Sequence, residues 1–306
     1  MERLLRDGHE VLVLDDLSTG DLRFLASDIR ERIELFEEDL SSVDVTFLTK
    51  ILKGTDTLFH LAANADVRGG WNSTFRDIQH NVIATHNVAL ACREAGVKHI
   101  VFSSTGCVYG DSTVIPTPET EPFPIQTSLY GTSKVAAEGI LSSFSAHGVF
   151  NVTVLRFVSV LGRYYHHGHV IDFVRQLMAH PRKLNILGDG NQRKSYISVK
   201  DCVEALVSLR GENHFEVFNI GNPDYCEVKA SASLISQAMN LSPEFSFGTE
   251  SRGWVGDNPY TFLDVQKAFA HGWKSTISIQ DCILETVNWI RENPWVLSLD
   301  SDRHRG

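Results

Sequence analysis

The sequence predicts an α/β fold in which a doubly wound parallel sheet is joined to a smaller α/β lobe. Up to about residue 160, short runs rich in β-branched residues alternate with amphipathic stretches. This alternation is typical of parallel strands connected by helices that cover both faces of a sheet. Beyond Arg156 the alternation gives way to a segment rich in tyrosine, histidine and glycine, which indicates a second, less regular unit.

The elements of the first unit follow from these runs. Strands are predicted over residues 10–14, 32–36, 56–61, 98–102 and 152–156. Between the third and fourth strands, apolar residues at helical spacing predict the buried face of a helix, which comprises Phe75, Ile78, Val82, Ala89 and Cys92. Gly96 follows them and predicts the C-terminal end of that helix.

The chain is expected to form two domains. A dinucleotide-binding domain is predicted over residues 1–160 and a mainly substrate-binding lobe over residues 161–306. A late strand over 217–220 is expected to return to the first domain, and helices are predicted around 228–240 and 278–291.

Composition and charge exclude several classes of protein. The 306 residues include 38 acidic and 28 basic side chains, a net charge of -10, which disfavours a general nucleic-acid binder. Apolar runs fall short of the roughly 18 to 20 residues that span a bilayer, and the N-terminal residues do not resemble a secretory signal, so a cytoplasmic protein without a membrane partner is expected. The five cysteines are scattered and predict neither disulfides nor zinc. A metal site at His166, His167 and His169 is disfavoured because these histidines have no supporting ligand spaced to complete it.

The first residues differ from the usual start of a dinucleotide-binding fold. Residues 2–9 read as the end of a helix that leads into the 10–14 strand, followed by Asp15 and Asp16. An acidic residue at that strand end is suited to the adenosine ribose, although Asp15 is equally suited to capping a turn. We expect that roughly 15 to 20 residues comprising a strand and a glycine-rich turn are missing before Met1, and that their loss weakens cofactor binding.

Two groups of polar residues predict acid/base chemistry. Tyr130 and Lys134 are four residues apart, so they share one face of a helix. A nearby ammonium stabilises a phenolate, which is the charge state that a tyrosine base needs. Thr105 follows the strand that ends at Phe102 and is placed to hydrogen-bond a substrate oxygen beside Tyr130, or else to cap its own turn.

The sequence resembles the extended short-chain dehydrogenase/reductase family, and within it the nucleotide-sugar epimerases of the UDP-glucose 4-epimerase type. The resemblance runs along nearly the whole chain. It is carried by the residues at 14–20, 38–40, 59–63, 81–82, 103–105, 130–134, 155–157, 188–194, 218–221, 252–257, 264, 267 and 272–273.

This resemblance implies a Rossmann-like fold, NAD as cofactor, a UDP-sugar as the favoured substrate and a homodimer. It implies that hydride leaves C4 of the sugar, that the 4-keto sugar rotates, and that hydride returns to the other face. The implied catalytic residues are Thr105, Tyr130 and Lys134. The implied cofactor-binding residues are Asp15, Asp16, Asp39, Leu40, Leu61, Ala62, Ala63, Asn81, Tyr130, Lys134 and Phe157. The implied substrate-binding residues are Thr105, Ser159, His169, Val170, Arg193, Lys194, Arg252 and Asp257.

The second lobe departs from the family pattern. Lys194 stands where the family has an arginine, with Arg193 beside it, and Ser159 replaces an asparagine. Arg252 lies further from Gly256 than its family counterpart does. Thr261 falls near the position that discriminates the C2 substituent of the sugar, and its small side chain leaves room for an N-acetyl group.

Two other functions stay open from the sequence. Cys107 and His169 match the cysteine and histidine of GDP-fucose synthases, which implies a 3,5-epimerase/reductase acting on a 4-keto nucleotide sugar. A non-catalytic or truncated sugar-nucleotide binder is the other alternative. Dehydration is disfavoured because Gly106 and Cys107 replace the Asp-Glu pair of the dehydratases.

Overall fold

The computed structural model describes residues 1–67, 73–123 and 125–299. It divides into two compact units. Unit 1 comprises Met1–Val108, Ser128–Leu155 and Leu206–Phe218, and unit 2 comprises Tyr109–Thr127, Arg156–Ala205 and Asn219–Gly306. Within the described residues, no helix is long and apolar enough to cross a membrane.

Unit 1 contains two sets of strands. Its strands are β1 (Val11–Asp15), β2 (Ile33–Glu37), β3 (Thr57–His60), β4 (His99–Thr105), β5 (Asn151–Phe157) and β10 (Phe215–Ile220). β1 pairs in parallel with β2, and the other four form a sheet in the order β10-β5-β4-β3, in which β3 and β4 are parallel. The α/β class and the predicted strands are confirmed, with ends that shift by up to three residues.

The helices of unit 1 bury an apolar face in its core. They are α1 (Glu2–Arg6), α2 (Ser27–Arg30), α3 (Val45–Ile51), α4 (Thr74–Asp77), α5 (Ala84–Ala95) and α6 (Leu129–Ala146), with a π-helix over Ile78–Ile83. The core joins side chains of α3, α5, α6, β4 and β5, among them Leu48, Val88, Cys92, Ile100, Leu141 and Val154. Gly96 ends α5 at φ +78°, a left-handed conformation that glycine adopts without strain.

The predicted helical face over residues 75–92 is only partly confirmed. Ala89 and Cys92 are fully buried, whereas the exposed fraction of Phe75 is 62% and that of Ile78 is 37%. The π-helix adds one residue to a turn and so rotates every preceding residue relative to α5. Asn81 and Thr85 are also buried, so polar side chains share the inward face of this segment with Val88 and Cys92.

Unit 2 is as large as unit 1, not smaller as expected, and consists of short strands and helices. Its strands are β6 (Ser159–Leu161), β7 (Lys183–Ile186), β8 (Arg193–Lys194), β9 (Tyr196–Ser198), β11 (Cys226–Glu227), β12 (Glu244–Phe247) and β13 (Tyr260–Thr261). Its helices are α7 (His169–Ala179), most of α8 (Val199–Ser208), α9 (Val228–Ala238), α10 (Gln266–Ala270) and α11 (Ile279–Glu292). The helices predicted near 228–240 and 278–291 correspond to α9 and α11.

A single domain boundary near residue 160 does not describe this division. The segment 109–127 belongs to unit 2, where Thr117 forms a β-bridge with Leu263 and donates its backbone N–H to the Phe262 carbonyl at 2.9 Å. Residues 215–218 of β10 belong to unit 1 and residues 219–220 to unit 2, so the strand expected over 217–220 is shared between the units.

Candidate active site

The carboxyl end of β4 brings two of the predicted catalytic residues together. β4 continues to Thr105, whose side chain is only 7% exposed and forms a hydrogen bond with Tyr130. The Thr105 hydroxyl also accepts a hydrogen bond from the Cys107 backbone at 3.1 Å. Tyr130 lies in the first turn of α6, which begins at Leu129 because the Ser128 hydroxyl caps the Gly131 N–H at 3.0 Å.

Lys134 is buried one turn further along α6. Its ammonium donates to the Ser103 carbonyl at 2.9 Å, and its Nζ lies 4.7 Å from the centre of the Phe102 ring. Burial lowers the pKa of Lys134 to about 8, and the carboxylate of Glu138 opposes that shift. Glu138 is itself buried and accepts from the Ser104 hydroxyl at 2.5 Å. Lys134 is therefore a desolvated cation beside the end of β4.

The pKa of Tyr130 departs from the expectation that Lys134 lowers it. Burial raises the pKa of Tyr130, and the negative charges of Cys107 and Asp77 act in the same direction, while the hydrogen bond with Thr105 opposes them. Because the ammonium of Lys134 is directed at the Ser103 carbonyl, the cofactor-free chain holds the phenol in its protonated form.

Asn81 connects the loop after β3 with the start of α6. Its amide donates to the Ser133 hydroxyl at 2.8 Å, and that hydroxyl donates to the Tyr130 carbonyl at 2.7 Å. The Asn81 side-chain oxygen accepts from the Asn64 N–H at 2.8 Å. Through these contacts Asn81 holds the start of α6, and its role in cofactor binding stays a prediction.

Sequence reasoning missed two buried polar residues around this network. His60 lies against Thr85 at 2.9 Å, and burial, together with the charge of Lys134, lowers the pKa of His60 to about 3. Asp77 is fully buried and accepts from the Asn64 amide at 2.8 Å, and burial raises its pKa. Asp77 lies four residues before Asn81, and a charged side chain at that position gives no sign from sequence that it is buried.

The remaining predicted cofactor residues of unit 1 occupy strand ends. Asp15 is exposed at the end of β1 and accepts from the Leu17 N–H at 2.8 Å, so it also caps its own turn. Asp16 caps the turn at Ser18, and Asp39 accepts from the Ser41 N–H at 2.8 Å. Burial acts to raise the pKa of Asp39, but hydrogen bonds from Ser41 outweigh it and the net shift is downward.

These strand ends fit an adenosine ribose and a flat ring system. Leu61 is 50% exposed directly after β3, Ala62 is exposed and Ala63 half-buried, and Leu40 is half-buried near Asp39. Exposed carboxylates can accept hydrogen bonds from ribose hydroxyls. Small apolar side chains at the carboxyl end of a parallel strand leave room for a ligand. Phe157, by contrast, is 9% exposed and belongs to unit 2.

A cleft of about 680 Å³ lies within unit 2. Its lining combines cations with aromatic rings: Asp111, Ser112, Thr113, Ile115, Arg193, Tyr225, Arg252, Asn258, Pro259, Tyr260 and Phe262. β8 places Arg193 opposite Glu227 of β11 and Tyr260 of β13. The Arg193 guanidinium stands 5.2 Å from the Tyr225 ring centre and 5.1 Å from that of Tyr260, an arrangement suited to an anionic ligand with a planar group.

Four of the predicted substrate residues do not line this cleft. The ammonium of Lys194 contacts the buried Asp257 carboxylate at 2.8 Å, and Asp257 also accepts from the Gly253 N–H at 2.9 Å. Lys194 and Asp257 thus neutralise each other inside unit 2. His169 stacks on Tyr196 at 4.9 Å and bonds the Ser231 hydroxyl at 2.9 Å, and Val170 is fully buried. These contacts assign the four residues to the framework of unit 2.

Ser159 and Thr261 also lie in paired strands. Ser159 is exposed at the start of β6, opposite Tyr196, and Thr261 pairs with Lys194 in register. Neither lines the cleft. Sequence reasoning missed Asp111, Tyr225 and Tyr260 as lining residues, because the pairing of β8 with β13 brings together segments more than sixty residues apart.

Comparisons with known proteins agree with this arrangement. The NAD dependent epimerase/dehydratase family matches residues 1–221. A UDP-glucose 4-epimerase of Mycolicibacterium smegmatis is 30% identical over 298 residues, covering 95% of this chain and 94% of that protein. The structure of a UDP-glucose 4-epimerase of Thermotoga maritima with UDP-glucose superposes with a TM-score of 0.86 and 30% identity, covering 96% and 94% of the two chains.

A second solved structure shows cofactor and nucleotide sugar bound together. MoeE5 in complex with UDP-glucuronic acid and NAD superposes with a TM-score of 0.83 and 28% identity, covering 95% of this chain and 94% of that one. The family match covers well over half of the sequence, and both similar structures span nearly all of it. The chain therefore belongs to the NAD dependent epimerase/dehydratase family.

Proposed function

We propose that the protein epimerises a UDP-sugar at C4 through a transient 4-keto sugar. The observation that carries this proposal is the approach of α6 to the end of β4, where Lys134 donates to the Ser103 carbonyl at 2.9 Å, which sets Tyr130 beside Thr105. A hydroxyl and a phenol in contact form a site that can hold a sugar hydroxyl and move its proton. The similar UDP-glucose 4-epimerases of Mycolicibacterium smegmatis and Thermotoga maritima support the choice of C4 and of UDP.

In this proposal Tyr130 carries the proton of the C4 hydroxyl. Tyr130 takes the proton of the C4 hydroxyl as the C4–H bond breaks, and returns it when hydride comes back to the opposite face of the ketone. Thr105 holds the sugar oxygen against the phenol, and Lys134 keeps a positive charge one turn away. When bound, oxidised NAD accepts the hydride and adds a positive charge that favours the phenolate. Without that charge, burial leaves Tyr130 protonated.

The cleft of unit 2 is proposed to bind the nucleotide. Arg193 and Arg252 supply positive charge for the diphosphate, and Tyr225, Tyr260 and Phe262 supply apolar surface for the base and ribose. An acidic protein needs such a local concentration of cations to bind an anionic substrate, since its net charge is -10.

Conversion of UDP-glucose to UDP-galactose by the NAD-loaded protein tests the proposal. Tyr130→Phe removes one oxygen and is expected to lower kcat by about 100- to 10,000-fold, the usual contribution of general acid/base catalysis. Ser143→Ala is the matched control, because it removes one hydroxyl from an exposed position on the same helix, where that hydroxyl donates to the Gly139 carbonyl. An active wild type with an equally active Tyr130→Phe variant would refute the assignment of Tyr130.

A further inference from the structure

One carboxylate lines the otherwise cationic cleft of unit 2. Asp111 accepts two hydrogen bonds from the Arg252 guanidinium, at 3.0 Å from Nη1 and 2.8 Å from Nη2. The same guanidinium donates to the Asp257 carbonyl at 2.5 Å. Both members of the pair line the cleft and remain accessible, since the exposed fractions of their side chains are 39% for Arg252 and 45% for Asp111.

The two arginines of the cleft differ in what holds them. Arg193 stands beside two aromatic rings, and its nearest carboxylate, Glu227, is 3.7 Å away. Arg252 is instead engaged in a two-pronged ion pair, the geometry in which a guanidinium also binds a phosphate. One fork cannot serve a carboxylate and a phosphate in this manner at the same time. A diphosphate that reaches Arg252 must displace Asp111 and then lies near its negative charge.

We propose that Asp111 is a displaceable counter-anion that limits the affinity of the cleft for nucleoside diphosphates. This inference rests on the proposed nucleotide-binding role of the cleft. Asp111 occupies the anion-binding face of Arg252 in the ligand-free protein and repels the incoming diphosphate, so its charge weakens binding in proportion to the charge of the ligand. The affinity for an uncharged nucleoside does not depend on the charge of Asp111.

The size of the effect follows from the exposure of the pair. Two unit charges about 4 Å apart in a water-like dielectric interact with an energy that changes an equilibrium about fivefold, and a diphosphate carries more than one charge. Removing the charge of Asp111 is therefore expected to tighten UDP binding by about five- to twentyfold at low salt. The gain must shrink as salt rises, because exposed charges are screened.

Calorimetric titration of the wild type and Asp111→Asn with UDP and with uridine tests the proposal. We expect tighter UDP binding, unchanged uridine binding, and a smaller difference at 0.5 M than at roughly 0.05 M salt. Asp111→Ala should show the same sign. Asp172→Asn is the control: it removes a carboxylate that pairs with Arg175 at 3.5 Å in unit 2 and does not line the cleft.

Two results would overturn the inference, and they separate it from the proposed role of the cleft. If Asp111→Asn binds UDP equally or more weakly, Asp111 orients Arg252 instead of competing for it, and the inference is wrong while the nucleotide-binding role stands. If the wild type binds no UDP, or if Arg193→Gln leaves UDP binding unchanged, the cleft does not bind the nucleotide and both proposals fail.

Discussion

Replacing Lys134 with methionine should remove activity and, at the same time, relieve a cost in stability. Lys134 is 2% exposed, and burial lowers its pKa from 10.5 to about 8. Because the folded pKa lies below that of the unfolded chain, the unfolded state binds the proton more readily between these two values. The folded state is therefore penalised as the pH falls from 10.5 toward 8, and the full penalty is present below pH 8.

The size of this penalty follows from the shift. A pKa lowered from 10.5 to about 8 reduces the free energy of unfolding by about 3 kcal/mol at pH 7 and by about 2 kcal/mol at pH 9. Methionine has no charge to desolvate, but it leaves the Ser103 carbonyl without its donor, at a cost of about 1 to 3 kcal/mol. The two terms nearly cancel at pH 7, so the decisive quantity is the change with pH.

Urea denaturation of the cofactor-free wild type and Lys134→Met at pH 7 and pH 9 measures that change. Relative to the wild type, the free energy of unfolding of the variant should be about 1 kcal/mol higher at pH 7 than at pH 9, because only the wild type titrates a buried ammonium. A difference between the two proteins that is constant with pH, or that grows toward pH 9, would refute the assignment of Lys134 as a desolvated cation.

Two further outcomes test other parts of the structure. Asp257→Asn should lower the free energy of unfolding in urea by about 2 to 4 kcal/mol, because it leaves the ammonium of Lys194 without its buried partner; an unchanged midpoint would show that the pair contributes nothing. Cys107→Ser and His169→Asn should each retain UDP-glucose epimerisation, since neither residue takes the C4 proton, and loss of turnover in either variant, with the fold intact by circular dichroism, would favour the 3,5-epimerase alternative.

Strands were the most predictable part of the fold. β1, β2 and β3 begin within one residue of their predicted starts, because β-branched and apolar runs favour paired, half-buried strands. β4 was predicted to end at Phe102 but continues through Ser103 and Ser104 to Thr105. Hydroxyl residues favour turns locally, and the extension of β4 within the sheet overrides that preference.

The placement of Tyr130 and Lys134 was predictable from the sequence, and the lining of the unit 2 cleft was only partly so. Tyr130 and Lys134 are four residues apart, and this spacing places both on one face of α6. Charge pointed to Arg193 and Arg252, which line the cleft. Charge also pointed to Lys194, but the sequence gives no sign of its ion pair with Asp257, 63 residues away. Asp111 gave no signal in sequence, because its pairing with Arg252 spans 141 residues.

The fate of the hydrogen at C4 tests the central claim most directly. UDP-glucose deuterated at C4 should yield UDP-galactose that keeps its deuterium at C4, because hydride leaves and returns without exchange with water while Tyr130 moves only the hydroxyl proton. Mass spectrometry and NMR of the product in ordinary water give the answer. Loss of the C4 deuterium to solvent, or uptake of solvent deuterium at C3 or C5 in the complementary experiment in heavy water, would contradict C4 epimerisation by hydride removal and return.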